Sequence, residues 1–462
     1  MTEAATRHTG VSRRVSDGSS RAIVWAVLAV MTAVALFVCA RYGRNIPLAE
    51  DWQLIAPFTG HQPDFLGWLW SQNNEHRVPL PRLIMLALLW LSNGDFRSGM
   101  LFDILSLALL SAAMMHTART VRGHSSISDA FFPLALLHVG HWENLFWTWQ
   151  LSFVVSIELA AIVMLVFVRR PALDTAASFW TVFAALLLLP LCGATGLIFV
   201  PACGAWTLWT VWARRSTAAS RTISLRVAAL SLVGVVALVY FVGYERPPWN
   251  PPNPGLKASV RTALQFLALG WGPAVIGYWR TAVAATVLLF GATGAWLLHR
   301  QWIVRREHAP EFGALLVLMA NSVLFTVLMG YGRAAQIQLD GQWPLRYPLL
   351  SALTLCAIYF VWLRCGTART RRMVPLALAL VAALLVVPNA RAGWQLFGAW
   401  YDEGMTNIEA DIAAGTSPQT LAERHQPFLI HWLTPSTVAA QIEMLQARGA
   451  SGFSRTSGAA GR

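Results

Sequence analysis

The chain has 462 residues, of which 56% are hydrophobic and 12% are charged. Soluble globular domains carry about 25% charged residues, so this composition excludes a soluble enzyme, a disordered protein and a fibrous repeat. Apolar runs recur between residues 23 and 389, and about 20 consecutive apolar residues are enough to cross a bilayer as a helix. The composition therefore predicts an all-α, polytopic membrane protein.

The formal net charge is +13, from 35 Lys and Arg and 22 Asp and Glu. The basic residues are Arg except for Lys257, and most of them form short clusters between the apolar runs. Such clusters are typical of the positive-inside anchoring of membrane helices, so we expect membrane lipids and no nucleic acid as partners. The five Cys contain no CxxC pair, which predicts neither a zinc site nor a disulfide framework.

Eleven apolar segments are candidates for membrane-spanning helices. They cover residues 23–40, 98–118, 129–141, 150–168, 178–191, 196–213, 223–243, 281–298, 311–329, 347–364 and 373–389. The run 80–93 is ambiguous, because counting it as a span would move the later Arg clusters to the outer side, against the positive-inside rule. We therefore expect this run to lie along the outer membrane interface.

The same rule predicts the domain organisation and the orientation of the chain. Residues 1–22 form a cytoplasmic tail, and residues 23–389 form the transmembrane domain, with a large outer loop over 41–97. Residues 390–462 form an extracytoplasmic helical segment. The aromatic stretch 64–70 predicts a helix that lies flat on the outer leaflet. The Arg-rich, Lys-poor composition indicates a bacterial plasma membrane.

Two adjacent carboxylates, Glu50 and Asp51, follow the first predicted span by ten residues. Repulsion between neighbouring carboxylates raises the pKa of at least one of them unless a cation lies near. The pair can act as a general base or hold an acceptor hydroxyl, and a divalent metal between the two side chains is left open. The structural alternative is an acid that caps the first turn of a helix.

A polar stretch over 73–82 contains His76, Arg77 and Arg82. Arg binds phosphate through charge-assisted, bidentate hydrogen bonds, so these three residues are candidates for phosphate binding. Anchoring at the lipid headgroups is the alternative, since a long Arg side chain can extend toward water.

Three further charged residues lie in predicted outer segments. Glu143, at a short turn, can order an acceptor or support a catalytic loop, and a capped turn is the structural alternative. Arg333 and Arg346 lie in a predicted loop over 330–347, near the interface, where an Arg is paired or reaches the surface. We expect both Arg side chains to face a lipid phosphate, because Arg grips phosphate bidentately.

Two acids, Asp103 and Glu158, fall inside predicted spans. Ionisable residues within a membrane are candidates for function by default. For Asp103, pairing with an Arg is an equally open structural alternative.

The order of these features resembles the first half of GT-C superfamily glycosyltransferases, in particular protein mannosyltransferases and lipid A aminoarabinose transferases. That order is one span, an acidic pair, an aromatic surface helix, and a basic segment that leads into a second surface helix. The matching residues are Asp51 (or Glu50), His76-Arg77-Val78-Pro79-Leu80 and Gly94-Asp95-Phe96-Arg97. The Pro-Pro of the family motif is split here by Leu80, and the resemblance covers about residues 23–215.

The resemblance implies an enzyme that moves a sugar from a polyprenyl-phosphate donor to a glycan, lipid or protein acceptor on the extracytoplasmic face. Asp51, helped by Glu50, would remove the acceptor hydroxyl proton, and Glu143 would support the site. The residues expected to hold the leaving phosphate are His76, Arg77, Arg82, Arg333 and Arg346. No P-loop or Gly-rich dinucleotide motif occurs in the sequence, so no organic cofactor is expected.

Two other functions stay open. One is a transporter or flippase of a lipid-linked glycan, although transporters usually place charges at the membrane midplane. The other is an oligosaccharide polymerase or ligase, which performs related chemistry with a glycan chain as the donor.

Overall fold

The computed structural model describes residues 2–303, 309–341, 343, 345–450 and 452–453. Within these residues the chain is largely helical and forms no β-strand. Long apolar helices satisfy the backbone N–H and C=O groups inside one segment, as the interior of a membrane requires. The predicted all-α, polytopic class is confirmed.

Twenty α-helices follow one another along the described chain, and short 3₁₀ turns connect several of them. The first ten are α1 (Thr2–Tyr42), α2 (Ile55–Thr59), α3 (Phe65–Trp70), α4 (Pro79–Leu91), α5 (Arg97–Arg122), α6 (Phe131–Leu136), α7 (Trp142–Phe146), α8 (Leu151–Arg169), α9 (Ala176–Leu188) and α10 (Ala194–Leu197). The next ten are α11 (Val200–Ala213), α12 (Ser220–Val239), α13 (Leu256–Ala268), α14 (Trp279–Ile303), α15 (Ala309–Asp340), α16 (Pro348–Cys365), α17 (Thr370–Gly393), α18 (Ala399–Ala413), α19 (Pro418–Leu429) and α20 (Pro435–Ala447).

Nine helical segments of the described chain are long and apolar enough to cross a membrane. They are Asp17–Tyr42, Arg97–Arg122, Thr148–Arg169, Ala194–Ala213, Ser220–Val239, Pro273–Gln301, Pro310–Leu339, Pro348–Cys365 and Thr370–Ala413. The other two predicted spans, 129–141 and 178–191, coincide with shorter apolar helical segments, Ile127–Leu136 and Ala176–Cys192. Each of the eleven predicted segments therefore contains a helix.

Helix α16 lies inside the bundle and is almost completely buried. It packs against α8, α15 and α17. By contrast, α12 exposes most of its apolar side chains, Leu238 among them. A helix that is apolar all round and exposed has a lipid-facing surface, so the bundle is built around α16 with α12 at its periphery.

One end of the bundle collects arginine side chains from several elements. Arg122 forms an ion pair with Asp129 at 2.8 Å and donates to the Tyr359 hydroxyl at 3.0 Å. Further along the helix of Tyr359, Arg364 pairs with Glu311 at 2.6 Å. We call this the arginine end. The first part of α1 reaches it too, because the Ser125 N–H donates to Asp17 at 2.6 Å.

The opposite end, which we call the site end, joins segments that are far apart in sequence. Arg44, after α1, pairs with Asp402 of α18 at 3.1 Å. The Gly452 N–H donates to the Asn45 carbonyl at 2.6 Å. Helix α20 also packs against α2, so the C-terminal helices lie against the loop that follows the first span.

Helix α4 lies along the site end and does not cross the bundle. Before it, Val78 lies against Gly193, and after it Gly94 lies against Phe58 and Ala450. Both flanks of α4 therefore contact site-end segments, while the predicted position of the run 80–93 at the outer membrane interface stays a prediction. Helix α3, just before it, has no buried residue, which agrees with the predicted surface helix.

The predicted loop over 330–347 is wrong for residues 330–340, which form the last turns of α15. A Gly inside a helix costs about 1 kcal/mol relative to Ala, and the glycines at 330 and 332 are the reason why the sequence favoured a loop. In the structure, a Cβ on Gly330 would lie only 2.6 Å from the Cβ of Ala263. The missing side chain therefore lets α13 and α15 pack closely, and that contact offsets the poor propensity.

The predicted boundaries at residues 22 and 389 do not coincide with helix ends. Residues 2–22 are the first half of α1. Helix α17, a π-helical turn over Trp394–Gly398 and α18 form one segment of 44 residues, Thr370–Ala413. A Pro in a helix interior costs about 3 kcal/mol, but the segment continues past Pro388 because α18 buries Tyr401, Met405 and Ile408.

Candidate functional site

The acidic pair lies on a 3₁₀ turn, Ala49–Leu54, at the site end. Asp51 Oδ2 accepts a hydrogen bond from the Leu48 N–H at 3.2 Å, so this carboxylate reaches back to the start of the turn. The Trp147 indole N–H donates to the Leu48 carbonyl at 3.1 Å and fixes the same residue from the other side. Asp51 thus performs the capping role that was one of its two predicted readings.

Both carboxyls are removed from water. Burial raises the pKa of Asp51 well above its ordinary value, and the hydrogen bond from Leu48 opposes this only in part. Burial also raises the pKa of Glu50, and the charge of Arg346 opposes that rise. Glu50 lies near the guanidinium of Arg346, whereas Asp51 is hydrogen-bonded to the backbone N–H of Leu48. The two adjacent carboxyls therefore have different surroundings.

Glu143 and Arg346 form the second half of this cluster. Arg346 Nε donates to Glu143 Oε2 at 3.1 Å, and its guanidinium lies 5.4 Å from the centre of the Trp147 ring. Asn144 Nδ2 donates to the Arg346 carbonyl at 3.1 Å. In the described part of the chain, neither Nη atom of Arg346 has a hydrogen-bond partner, so the outer edge of the guanidinium can accept an anionic ligand.

We call Glu50, Asp51, Glu143 and Arg346 the acidic cluster. Burial raises the pKa of Glu143, whereas Arg346 opposes the rise and the charge of Glu50 adds to it. Although burial lowers the pKa of Arg346, Glu143 and Glu50 raise it above its ordinary value. The cluster therefore couples Glu143 and Glu50 to one permanent cation, and Asp51 adjoins it through the charge of Glu50.

A second polar cluster surrounds Glu75, a residue that the sequence analysis did not assign to the site. Glu75 forms an ion pair with Arg333. Arg333 also donates to Gln336 Oε1 at 3.1 Å and lies 3.0 Å from His76 Nε2. The Ala194 N–H donates to His76 Nδ1 at 3.4 Å. Two predicted phosphate-binding residues, His76 and Arg333, are therefore brought together around Glu75.

The protonation of this cluster follows from burial and from the Arg333 charge. Burial, followed by Arg333, lowers the pKa of His76 to about 4, so its imidazole is neutral at pH 7. Burial opposes ionisation of Glu75, yet Arg333 and His76 bring its pKa below the ordinary value. Glu75 and Arg333 are thus both ionised, and their opposite charges neutralise each other.

A cavity of about 510 Å³ lies beside this cluster. We call it the α15 cavity, because residues 328–336 of α15 form one wall. The ionisable and amide side chains that line it, apart from Tyr, are Glu75, His76, Arg246, Asn250, Asn253, Arg333 and Gln336, and Thr195 and four Tyr add hydroxyl groups. Tyr347 also lines it, and its neighbour Arg346 belongs to the acidic cluster. The charge of Arg346 contributes to the lowered pKa of His76, so the two clusters adjoin.

Arg77 lies outside both clusters, and its side chain donates hydrogen bonds to main-chain carbonyls. It is buried, and its guanidinium donates to four carbonyls: Trp70 at 2.7 Å, Tyr240 at 3.1 Å, and Val242 and Gly243 at 2.9 Å each. These carbonyls belong to α3 and to the segment after α12. Arg77 therefore ties two distant segments together.

Arg82 has a comparable role. Its Nη1 donates to the Ser71 carbonyl at 2.8 Å and to the Trp68 carbonyl, and its Nη2 donates to Gln53 Oε1 at 3.2 Å. The guanidinium also lies 4.9 Å from the centre of the Trp68 ring. Burial lowers the pKa of Arg82 to about 10. The structure places Arg82 inside the fold and not at the lipid headgroups.

The open question about Asp103 is answered by its surroundings. It is fully buried in α5, and in the described residues neither carboxyl oxygen has a hydrogen-bond partner. The Arg-paired alternative is therefore wrong. Glu158 lies in the neighbouring α8, which packs against α5.

Several residues of the site were missed at the sequence level. Asn250 Nδ2 donates to Glu75 Oε2 at 3.2 Å, and Arg246 Nη2 donates to the Pro251 carbonyl at 2.8 Å. Both lie in the Pro-rich run 246–252, which is non-helical as predicted. Polar residues inside a Pro-rich loop, predicted to lie on the outer side, were the available signal.

Among the residues that the structure describes, no three His, Cys, Asp or Glu side chains converge to hold a metal ion. A divalent metal between Glu50 and Asp51 stays a prediction. No protein-family model matches the chain, and no curated protein matches it in sequence.

Proposed function

We propose that the protein is a membrane glycosyltransferase that moves a sugar from a polyprenyl-phosphate donor to an acceptor at the extracytoplasmic face of a plasma membrane. The observation that carries the proposal is the acidic cluster, in which buried carboxyls lie beside a guanidinium whose Nη atoms are free. Glycosyl transfer to a hydroxyl needs both a base for the acceptor and a cation for the departing phosphate.

The chemistry assigns one task to each part of the cluster. The acceptor oxygen attacks the anomeric carbon of the donor sugar, and its proton passes to Glu50 or Asp51. The bond from that carbon to the phosphate oxygen breaks, and the electron pair leaves with the phosphate. Arg346 stabilises the charge that develops there, while Glu143 holds Arg346 in place. Arg333 orders Glu75 and His76 at the neighbouring cavity.

The proposed orientation puts the arginine end in the cytoplasm, since basic residues are retained on that side. The N-terminal part of α1 would then be cytoplasmic and the C-terminal helices extracytoplasmic. The resemblance to GT-C glycosyltransferases supports the same arrangement, with a glycan, lipid or protein as acceptor. In intact cells, a cysteine at the exposed position 66 of α3 should react with an impermeant thiol reagent, and one at the exposed position 124 should stay protected from outside.

A transporter of a lipid-linked glycan is the second candidate function. Asp103 favours it, because this fully buried carboxyl has no hydrogen-bond partner among the described residues, and ionisable groups inside a membrane span mark ion and proton pathways. The two candidates differ in product: a transferase makes a new glycosidic bond, whereas a transporter returns its lipid unchanged on the other side.

Reconstituted protein tests the proposal. Vesicles are loaded with radiolabelled undecaprenyl-phosphate glucose or undecaprenyl-phosphate mannose and a lipid extract as the acceptor source. We expect a labelled product from the wild type and a loss of about 100-fold or more in Glu50→Gln, in the range attributed to one general base. Glu403→Gln, an exposed acid on α18 at the same end, is the matched control. If the labelled lipid exchanges across the membrane and no new glycosidic bond forms, the transferase proposal is wrong and the protein is a transporter.

A further inference from the structure

The α15 cavity has a polar side and an apolar side. Helix α15 runs from the arginine end, at Glu311, to the site end, at Arg333. Leu328 and Met329 therefore line the cavity about one helical turn deeper in the membrane than Arg333. On the opposite wall, Leu197 and Ile198 lie deeper than Ala194 in the same way. The polarity of the lining thus changes along the membrane normal, as it does in a lipid.

The cavity also adjoins the lipid-facing surface of the bundle. Helix α12 packs against α9 and α11, and α15 packs against α11, α13, α14 and α16. In the described part of the chain α12 does not pack along α15, and the cavity lies where these two helices approach the site end. Three residues that line the cavity also have exposed side chains: Phe241, Leu328 and Tyr331. These exposed aromatic and aliphatic side chains indicate that the cavity opens sideways, toward the bilayer.

The charges around the cavity indicate where the anionic group and the apolar chain of a bound lipid would lie. Arg333 is paired with Glu75, and Arg246 donates to backbone carbonyls of its own loop. Arg246 uses only its Nη2 in these bonds, whereas Arg346, next to the lining residue Tyr347, is held through Nε to the buried Glu143 and keeps both Nη atoms without a partner among the described residues. An anionic group is therefore best placed at the Tyr347 edge, with the apolar chain extending from it toward Leu328.

We propose that the α15 cavity binds the first isoprene units of a polyprenyl phosphate, which enters sideways between α12 and α15 with its phosphate beside Arg346. A volume of about 510 Å³ is typical of pockets that enclose a small ligand, about 300–1,000 Å³. A long prenyl chain exceeds it, so the remainder of the chain stays in the bilayer. The site deepens the proposed function by locating its donor, but binding itself does not require transfer.

Glycine 332 offers a direct way to fill the cavity. It lines the cavity, and a Cβ at this position would meet no atom within 4 Å. Gly332→Trp therefore places a bulky ring in the space proposed for the chain. Gly291→Trp is the matched control, because Gly291 is also a helical glycine with open space around it, on α14 away from the cavity. Ile198→Trp fills the same cavity from the opposite wall.

The experiment measures retention of undecaprenyl phosphate on the purified proteins by native mass spectrometry. We expect Gly332→Trp and Ile198→Trp each to weaken retention by about tenfold or more, which corresponds to about 1.4 kcal/mol, while Gly291→Trp binds like the wild type. Arg346→Gln should weaken binding of the phosphate but leave binding of the neutral polyprenol unchanged. Thermal unfolding of each variant checks that its fold is intact.

Wild-type retention by both cavity variants would overturn the proposal, and so would equal competition by phosphatidylglycerol, which would indicate generic lipid binding. If undecaprenyl phosphate binds as expected but no glycosidic product ever forms, the site stands and the transferase function fails. If product forms while the cavity variants bind and react normally, the function stands and this site is wrong.

Discussion

Replacement of Arg77 by Met removes a guanidinium that joins α3 to the segment after α12, and keeps most of the apolar stem. Four carbonyls lose their donor. Val242 and Gly243 are exposed, so water can take over there, whereas the carbonyls of buried Tyr240 and half-buried Trp70 cannot be hydrated as easily. An unsatisfied buried polar group costs about 1–3 kcal/mol, so two such groups make the free energy of unfolding smaller by about 2–6 kcal/mol.

The assay is thermal unfolding in detergent, followed by the fluorescence of the 22 Trp residues. We expect a clearly lower melting temperature for Arg77→Met and partial recovery for Arg77→Lys, because an ammonium group replaces some donors but not the planar fork. Arg391→Met, an exposed arginine on α17, is the control. If Arg77→Met melts like the wild type and loses only its affinity for undecaprenyl phosphate, then Arg77 is a phosphate ligand and the structural assignment is refuted.

Two other predictions concern protonation and packing. Because burial raises the pKa of Glu50, a base at this position loses its ionised form as the pH falls, and the acidic limb of the transfer rate should lie above the ordinary range of Glu. Arg346→Gln should move that limb to higher pH, since Arg346 opposes the effect of burial; an unmoved pH profile would contradict the coupling. Gly330→Leu should separate α13 from α15 and lower the melting temperature, while Gly291→Leu, which faces open space, should not.

The fold was largely predictable because its signals are local. A run of apolar residues predicts its own helix, and an Arg cluster predicts the end at which that helix stops. The exceptions depended on contacts between distant helices. Residues 330–340 continue α15 because Gly330 packs against Ala263, and the sequence around Gly330 contains no sign of that partner.

Site residues could be predicted where their charge is what brings them to the site. They could not be predicted where a side chain is placed by hydrogen bonds to the main chain. Glu50, Glu143 and Arg346 were singled out as charged residues in predicted outer loops, and the structure brings them together. Arg77 had the same signal, but its partners are main-chain carbonyls, which have no side-chain signature, and three of the four lie more than 160 residues away. A sequence cannot distinguish an arginine that binds a ligand from one that holds a distant loop.

The two arginines near the end of α15 show how this distinction shapes a site. Arg333 uses both Nη atoms on Glu75, Gln336 and His76, so its charge is committed before any ligand arrives. Arg346 is held by Nε to Glu143 and by its ring contact with Trp147, which orients the guanidinium while leaving the Nη edge available. Donors fixed in advance need no reorganisation when charge develops near them, and for this reason Arg346, and not Arg333, is the arginine that should determine how tightly a departing phosphate is held.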